Sequence, residues 1–177
     1  MISFLRTFLA LARISYLPTV WSNCLAGWWL GGAGHYQALP FLLAGATCLY
    51  LGGAFLNDTF DAEFDRQHRR ARPIPAGAIM PDAVRRWGLA WLALGELSLL
   101  WFGPVTGGLG LALICCILLY NAVHRWIVFS PVLLGICRFF LYVIGASTAV
   151  DGVTGWSIWC GLAVAGYLVG LGYFLPA

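Results

Sequence analysis

Six apolar runs long enough to cross a bilayer follow one another along the chain, at about 15–34, 38–57, 83–103, 106–123, 130–149 and 155–174. A helix spans the hydrocarbon in about 20 residues. The breaks between runs hold turn chemistry: GGAGH ahead of Pro40, GPVTGG at 103–108 and DGVTG at 151–155. Stretches such as LALICCILLY show no alternation of polarity, which excludes the ~10-residue alternating strands of a transmembrane barrel. The pattern predicts an all-α polytopic membrane helical bundle of about six transmembrane helices. No low-complexity linker divides it, so residues 1–177 read as a single transmembrane helical domain. Residues 1–12 are apolar as well, but the run continues past any signal-peptide cleavage site. They read as an interfacial lead-in to the first span.

Composition fixes the solvent. Hydrophobic residues make up 61% of the chain and charged residues only 10%, against roughly 25% charged in a soluble domain. So few charges cannot coat a water-facing globule, and so much apolar surface does not remain disordered. All ten basic residues are arginine, and their positions orient the array. Arg6 and Arg13 precede the first run, Arg66, Arg69, Arg70, Arg72, Arg85 and Arg86 lie between the second and third, and Arg125 lies between the fourth and fifth. With six spans these all fall on one face, which the positive-inside rule makes cytoplasmic. A net charge of +3 does not indicate nucleic-acid binding. The clustered arginines instead suit lipid headgroups or a phosphorylated ligand. The six cysteines lie in apolar stretches without a C-x-x-C pair and read as small packing residues.

The second run leads into NDTFDAEFDRQHRRARPIPAG, residues 57–77. On a helix at about 100° per residue, Asn57, Asp58, Asp61 and Asp65 share an arc of about 100°, and Glu63 points the other way. Carboxylates on one stripe repel unless a cation sits between them. Hard oxygen ligands at successive turns suit Mg²⁺, which keeps several waters and binds through a few carboxylates plus ligand phosphates. The arginines that follow can take the remaining phosphate charge. The bland alternative is a solvated helix end of mixed charge. An EF-hand is excluded, because no D-x-D-x-D-G loop is present.

Other residues leave alternatives open. Arg138 falls mid-span, where a charge costs about 2.5–3.5 kcal/mol on insertion scales. It is either half of an ion pair with Glu96 at similar depth or a cavity-lining substrate contact. His68 and His124 flank the acidic segment and read as surface residues, with proton transfer with an acceptor as the alternative. The aromatics Trp87, Trp91, Trp101, Phe139, Phe140 and Tyr142 either line a tunnel or pack.

These segments resemble the UbiA superfamily of membrane prenyltransferases. NDTFDAEFD followed by RPIPAG is similar to its first aspartate-rich motif, LARISYLP at 11–18 to its first helix, and YNAVHR at 120–125 to the segment after its fourth helix. SPVLLGICRFFLYVIGAS at 130–147 is similar to its fifth helix, with a Cys-Arg pair most like the EboC-type branch. The resemblance implies Mg²⁺-dependent transfer of an isoprenyl group from a prenyl diphosphate to an aromatic or other lipophilic acceptor, within a bacterial inner membrane. On matching positions, Asn57, Asp58, Asp61 and Asp65 would hold the metal. Asp61, Asp65 and Arg72 would serve catalysis, and Arg13, Arg72, Tyr120 and Arg125 would contact substrate, joined by Arg138 if it lines the cavity rather than pairing with Glu96. The family has nine helices and a second aspartate motif after the sixth, and no D-x-x-x-D follows residue 65 here. The expectation is therefore the N-terminal two-thirds of the family fold, inactive alone. A non-catalytic protein that binds or moves an isoprenoid or lipid diphosphate is the alternative. A small channel with an acidic mouth ranks last, since it leaves R-P-I-P-A-G unexplained.

Overall fold

The computed structural model describes residues 2–174, and these form eight α-helices with no strand among them. They are α1 (Ile2–Ala12), α2 (Leu17–Leu30), α3 (Leu39–Phe60), α4 (Ala62–His68), α5 (Pro81–Leu100), α6 (Pro104–Val123), α7 (Ser130–Ser147) and α8 (Gly155–Phe174). Proline occupies the first turn of α2, α3, α5, α6 and α7, where its missing N–H costs nothing and its fixed φ starts the helix. Between α5 and α6 the chain turns at Gly103, φ 113° and ψ 173°, a conformation essentially reserved for glycine.

The six apolar runs are the six long helices, within a few residues at each end. Four of these, residues 36–60 and α6, α7 and α8, are long and apolar enough to cross a membrane. The other two fall short for different reasons. Helix α2 has only 14 residues, because the chain breaks at Arg13 (φ 43°, ψ 49°) and resumes through a 3₁₀ turn at Ile14–Tyr16. Helix α5 carries Arg85, Arg86 and Glu96.

Glycines set the packing. Gly45 and Gly52 on α3 face Gly95 and Gly88 on α5, each pair seven residues apart. A Cβ on Gly95 would sit 2.9 Å from the Gly45 carbonyl oxygen, and one on Gly52 2.8 Å from that of Gly88. Helices in lipid gain little from the hydrophobic effect, so close backbone approach and van der Waals contact hold them together. The crossing of α2 and α7 is tighter still. A Cβ on Gly27 would strike the Tyr142 carbonyl, and one on Gly145 the Cys24 carbonyl. Val20, Cys24, Leu42, Leu49, Leu99 and Ile144 fill the core between these pairs. Helix α8 lies against α7 with only 11% of its span buried, leaving Trp156, Trp159 and Tyr167 exposed.

Arg138 and Glu96 do not pair. Their positions along the helices differ, Glu96 lying about 22 Å in from the start of α5 and Arg138 about 12 Å in from the start of α7; Arg138 Nη1 donates to Thr19 Oγ1 on α2 at 2.9 Å, whereas Glu96 lies against Gly110 on α6. Glu96 is 8% exposed, and neither of its carboxyl oxygens has a hydrogen-bond partner. Burying such a group costs roughly 1–3 kcal/mol on protein mutational scales. Glu96→Leu is therefore expected to raise the midpoint of thermal unfolding in detergent, read by circular dichroism. An unchanged or lower midpoint would show that the carboxylate has a stabilising contact.

Candidate functional site

The acidic stripe forms as the helical spacing predicts. Asp58 closes α3, Asp61 sits at the junction with α4, and Asp65 follows one turn on; all three are buried. Glu63, on the opposite side, is 73% exposed and pairs with Arg66 at 2.7 Å.

Three arginines from separate parts of the chain close over the stripe. The left-handed backbone at Arg13 ends α1 and turns the side chain toward α3. There Nη2 donates to Asn57 Oδ1 at 3.0 Å and also reaches Asp58 Oδ1. The Tyr50 hydroxyl donates to the Arg13 carbonyl at 3.0 Å and ties this joint to α3. Arg72, in the loop after α4, donates to Asp65 Oδ2 at 2.8 Å and Asp58 Oδ1 at 3.3 Å, and lies 3.9 Å from Asp61 Oδ2. Arg125, just past α6, pairs with Asp61 Oδ1 at 2.6 Å, and its guanidinium lies 4.5 Å over the Phe64 ring. Three carboxylates therefore meet three guanidinium groups. Buried charges of one sign would be prohibitive, and the matched set removes that cost.

The structure brings seven residues singled out from the sequence into one cluster: Arg13, Asn57, Asp58, Asp61, Asp65, Arg72 and Arg125. Tyr120 joins it from α6, stacked on His124 with ring centroids 5.1 Å apart. Arg138 does not join the cluster and lies deeper in the bundle. Two members were missed. His124 is no surface residue; its Nε2 is 3.0 Å from Asp61 Oδ1 and its side chain is 16% exposed. Asn121 is buried, accepts from Asn57 Nδ2 at 3.3 Å and donates to the Gly53 carbonyl at 3.2 Å. The signal for both was their place beside Tyr120 and Arg125 in YNAVHR. His68 is exposed and bonded only to the Phe64 carbonyl, as a surface histidine would be.

Below the cluster a cavity of about 440 Å³ opens between α2, α3, α6 and α7. Arg13, Asn57, Tyr120 and Asn121 form its polar mouth, and Leu49, Leu113, Ile117, Leu134 and Leu141 its apolar wall, with Arg138 inside. The aromatics at its surface are Tyr16, Tyr50 and Tyr120. None of the six aromatics considered for a tunnel lines it. Trp87 packs instead near Phe8 and Phe55, and Phe139 against Phe140.

Among the described residues no three His, Cys, Asp or Glu side chains converge as a ready cage for a metal. The donors still suit Mg²⁺. The cluster supplies hard carboxylate and amide oxygens, and Asp65 Oδ1 is buried without a hydrogen-bond partner. Mg²⁺ is ordinarily held through one or two carboxylates, waters and ligand phosphates rather than by an all-protein cage.

Among the described residues the chain is an all-helical bundle whose matched Asp/Arg mouth sits over an apolar cavity. The chain belongs to the UbiA prenyltransferase family, whose model matches residues 15–176. It is similar to digeranylgeranylglyceryl phosphate synthase of Ignicoccus hospitalis, 38% identical over 103 residues, 58% of this chain and 34% of that protein. Protoheme IX farnesyltransferase of Bacillus licheniformis is 27% identical over 114 residues, 59% of this chain and 37% of that protein. The matches span about a third of the length of these relatives. A solved structure concerned with digeranylgeranylglyceryl phosphate synthase in membranes shares the fold, with a TM-score of 0.80 at 17% identity over 96% of this chain and 59% of that one. Membership of the family and the four apolar helices make this an integral membrane protein.

Proposed function

We propose that this chain carries the donor half of an intramembrane prenyltransferase, which moves an isoprenyl group from a prenyl diphosphate to an aromatic or other lipophilic acceptor. The observation that carries the reading is the matched Asp/Arg cluster at the mouth of an apolar cavity. One end suits a diphosphate with its cation, and the other suits a hydrocarbon chain.

Asn57, Asp58, Asp61 and Asp65 are the residues that would hold Mg²⁺. Bound there, the ion supplies Lewis-acid neutralisation of the diphosphate charge. Arg13, Arg72 and Arg125 already sit against these carboxylates. On donor binding they exchange a carboxylate partner for phosphate oxygens, so charge stays matched before and after. As the allylic C–O bond ionises, the arginines stabilise the developing anion from fixed positions. Tyr120 and Asn121 close the polar mouth, and the leucine wall excludes water that would quench the carbocation. The arginine-rich end faces the cytoplasm in this reading.

Farnesyl and geranylgeranyl diphosphates are the donors to test, given the names of the relatives. The purified protein is expected to bind them in a Mg²⁺-dependent manner. Arg72→Gln should weaken that binding about tenfold or more, since a hydrogen bond to a charged group contributes roughly 1.5–3 kcal/mol. Isothermal titration in nanodiscs measures this. A donor affinity indifferent to Mg²⁺ and to Arg72 would remove the proposal.

A further inference from the structure

Arg125 is the least tethered of the three arginines at the mouth. Arg72 reaches Asp58, Asp61 and Asp65. Arg13 holds Asn57 and Asp58, and the Tyr50 hydroxyl ties down its backbone. Arg125 has a single carboxylate partner among the described residues, Asp61 Oδ1 at 2.6 Å, and His124 Nε2 reaches that same oxygen at 3.0 Å. Asp61 is also one of the residues that would hold Mg²⁺, and an oxygen shared with the ion holds Arg125 less firmly. A long side chain released in this way regains rotamer freedom, which it must lose again before it meets phosphate.

Its second contact does not depend on Asp61. The guanidinium carbon lies over the Phe64 ring, 4.5 Å from the centroid, where the negative face of the ring attracts a cation. That contact needs no N–H acceptor, so the five donors of the guanidinium are left for oxygens. Phe64 follows Asp61 by three residues, and residues at that spacing are neighbours on a helix. The start of α4 therefore grips Arg125 twice, once by charge and once by a ring. The ring is itself held: His68 stacks on it with centroids 4.1 Å apart and 20° between the planes. Phe64 is 41% exposed, so filling the core does not account for it.

We infer that Phe64 is a positioning residue, which keeps the Arg125 guanidinium at the mouth while its carboxylate partner is exchanged for the oxygens of a diphosphate. Phe64 acts through Arg125 alone. The diphosphate in this inference rests on the proposed function. The effect belongs to the electrons of the ring, so tryptophan supplies it best and an aliphatic side chain does not supply it.

Fluorination tests this with little change of shape, because each fluorine withdraws electron density from the face that the cation meets. Mono-, di- and trifluorinated phenylalanine replace Phe64 in the intact chain by stop-codon suppression. Affinity for geranylgeranyl diphosphate and for inorganic pyrophosphate, each with Mg²⁺, is measured by isothermal titration in nanodiscs. Both affinities are expected to fall with each added fluorine, by about fivefold over the series, as one cation–ring contact at a partly exposed site implies. Phe64→Leu should match the trifluorinated protein, and Phe64→Trp should equal or exceed the wild type, an order that lost packing does not produce. In Arg125→Gln both affinities should be lower and indifferent to fluorination. Affinities that stay constant along the series overturn the inference. So does a decline that persists in Arg125→Gln, since the ring then acts on something other than Arg125. If pyrophosphate affinity follows the series while the prenyl diphosphate does not bind, the transferase reading falls and the role of Phe64 stands. If the wild type binds neither, both fall.

Discussion

Asp61→Asn combined with Asp65→Asn is expected to abolish Mg²⁺-dependent binding of a prenyl diphosphate, with a loss of about a hundredfold or more. Each carboxylate lost removes a charge-assisted ligand worth roughly 1.5–3 kcal/mol, and 1.4 kcal/mol is tenfold in affinity. The double variant keeps the shape of the stripe but leaves Arg72 and Arg125 with fewer anionic partners, since Arg125 pairs with Asp61 and Arg72 with Asp65. Freed arginines still attract phosphate. Residual binding that no longer responds to Mg²⁺ is therefore the expected signature, and titration with and without EDTA reads it. Binding that keeps its full Mg²⁺ response would place the metal elsewhere.

The second large effect concerns folding. Gly145→Leu is expected to prevent assembly of the bundle, because even a Cβ at this position would overlap the Cys24 carbonyl of α2. Backbone cannot give way as a flexible side chain can, so α2 and α7 must separate. Their separation dismantles the cavity wall carrying Val20, Leu141 and Arg138. Overpacking typically costs 1–3 kcal/mol, and a clash between two backbones exceeds that range. The variant should aggregate or elute as a broad early peak in size-exclusion chromatography. Gly166→Leu on α8 is the control, since a Cβ there meets nothing within 4 Å. Equal behaviour of the two variants would show that the α2–α7 crossing is not a constraint on assembly.

The spans were legible because length and apolarity alone define them, and the acidic stripe because about two turns of helix align fixed positions. What a helical wheel omits is the element that covers a face. Asp61 could be placed on the stripe from its spacing, but not beneath His124 and Arg125, more than sixty residues later. Asn121 was equally hidden, since it reads as one polar residue at the end of an apolar run. The break at Arg13 escaped because nothing in LARISYLP favours a left-handed residue. Tertiary contacts from Tyr50 and Asp58 hold it there, overriding local preference. The pairing of Glu96 with Arg138 failed for a simpler reason. Rise per residue gives depth only once the helix start is known, and with α5 starting at Pro81 and α7 at Ser130 the two lie about 22 Å and about 12 Å along their helices.

The charge cluster also has an order of assembly written into it. A chain entering the membrane from its N-terminus meets its own residues in sequence. Asp58 and Asp65 find Arg13 behind them and Arg72 shortly after them, so both can be matched as soon as the first helices pair. Asp61 differs. Apart from the 3.9 Å approach of Arg72, its partners are His124 and Arg125, which arrive only when α6 has been inserted. During biogenesis one carboxylate therefore waits for its counter-charge. The polar mouth is completed by the arrival of a helix synthesised long after the aspartate motif itself.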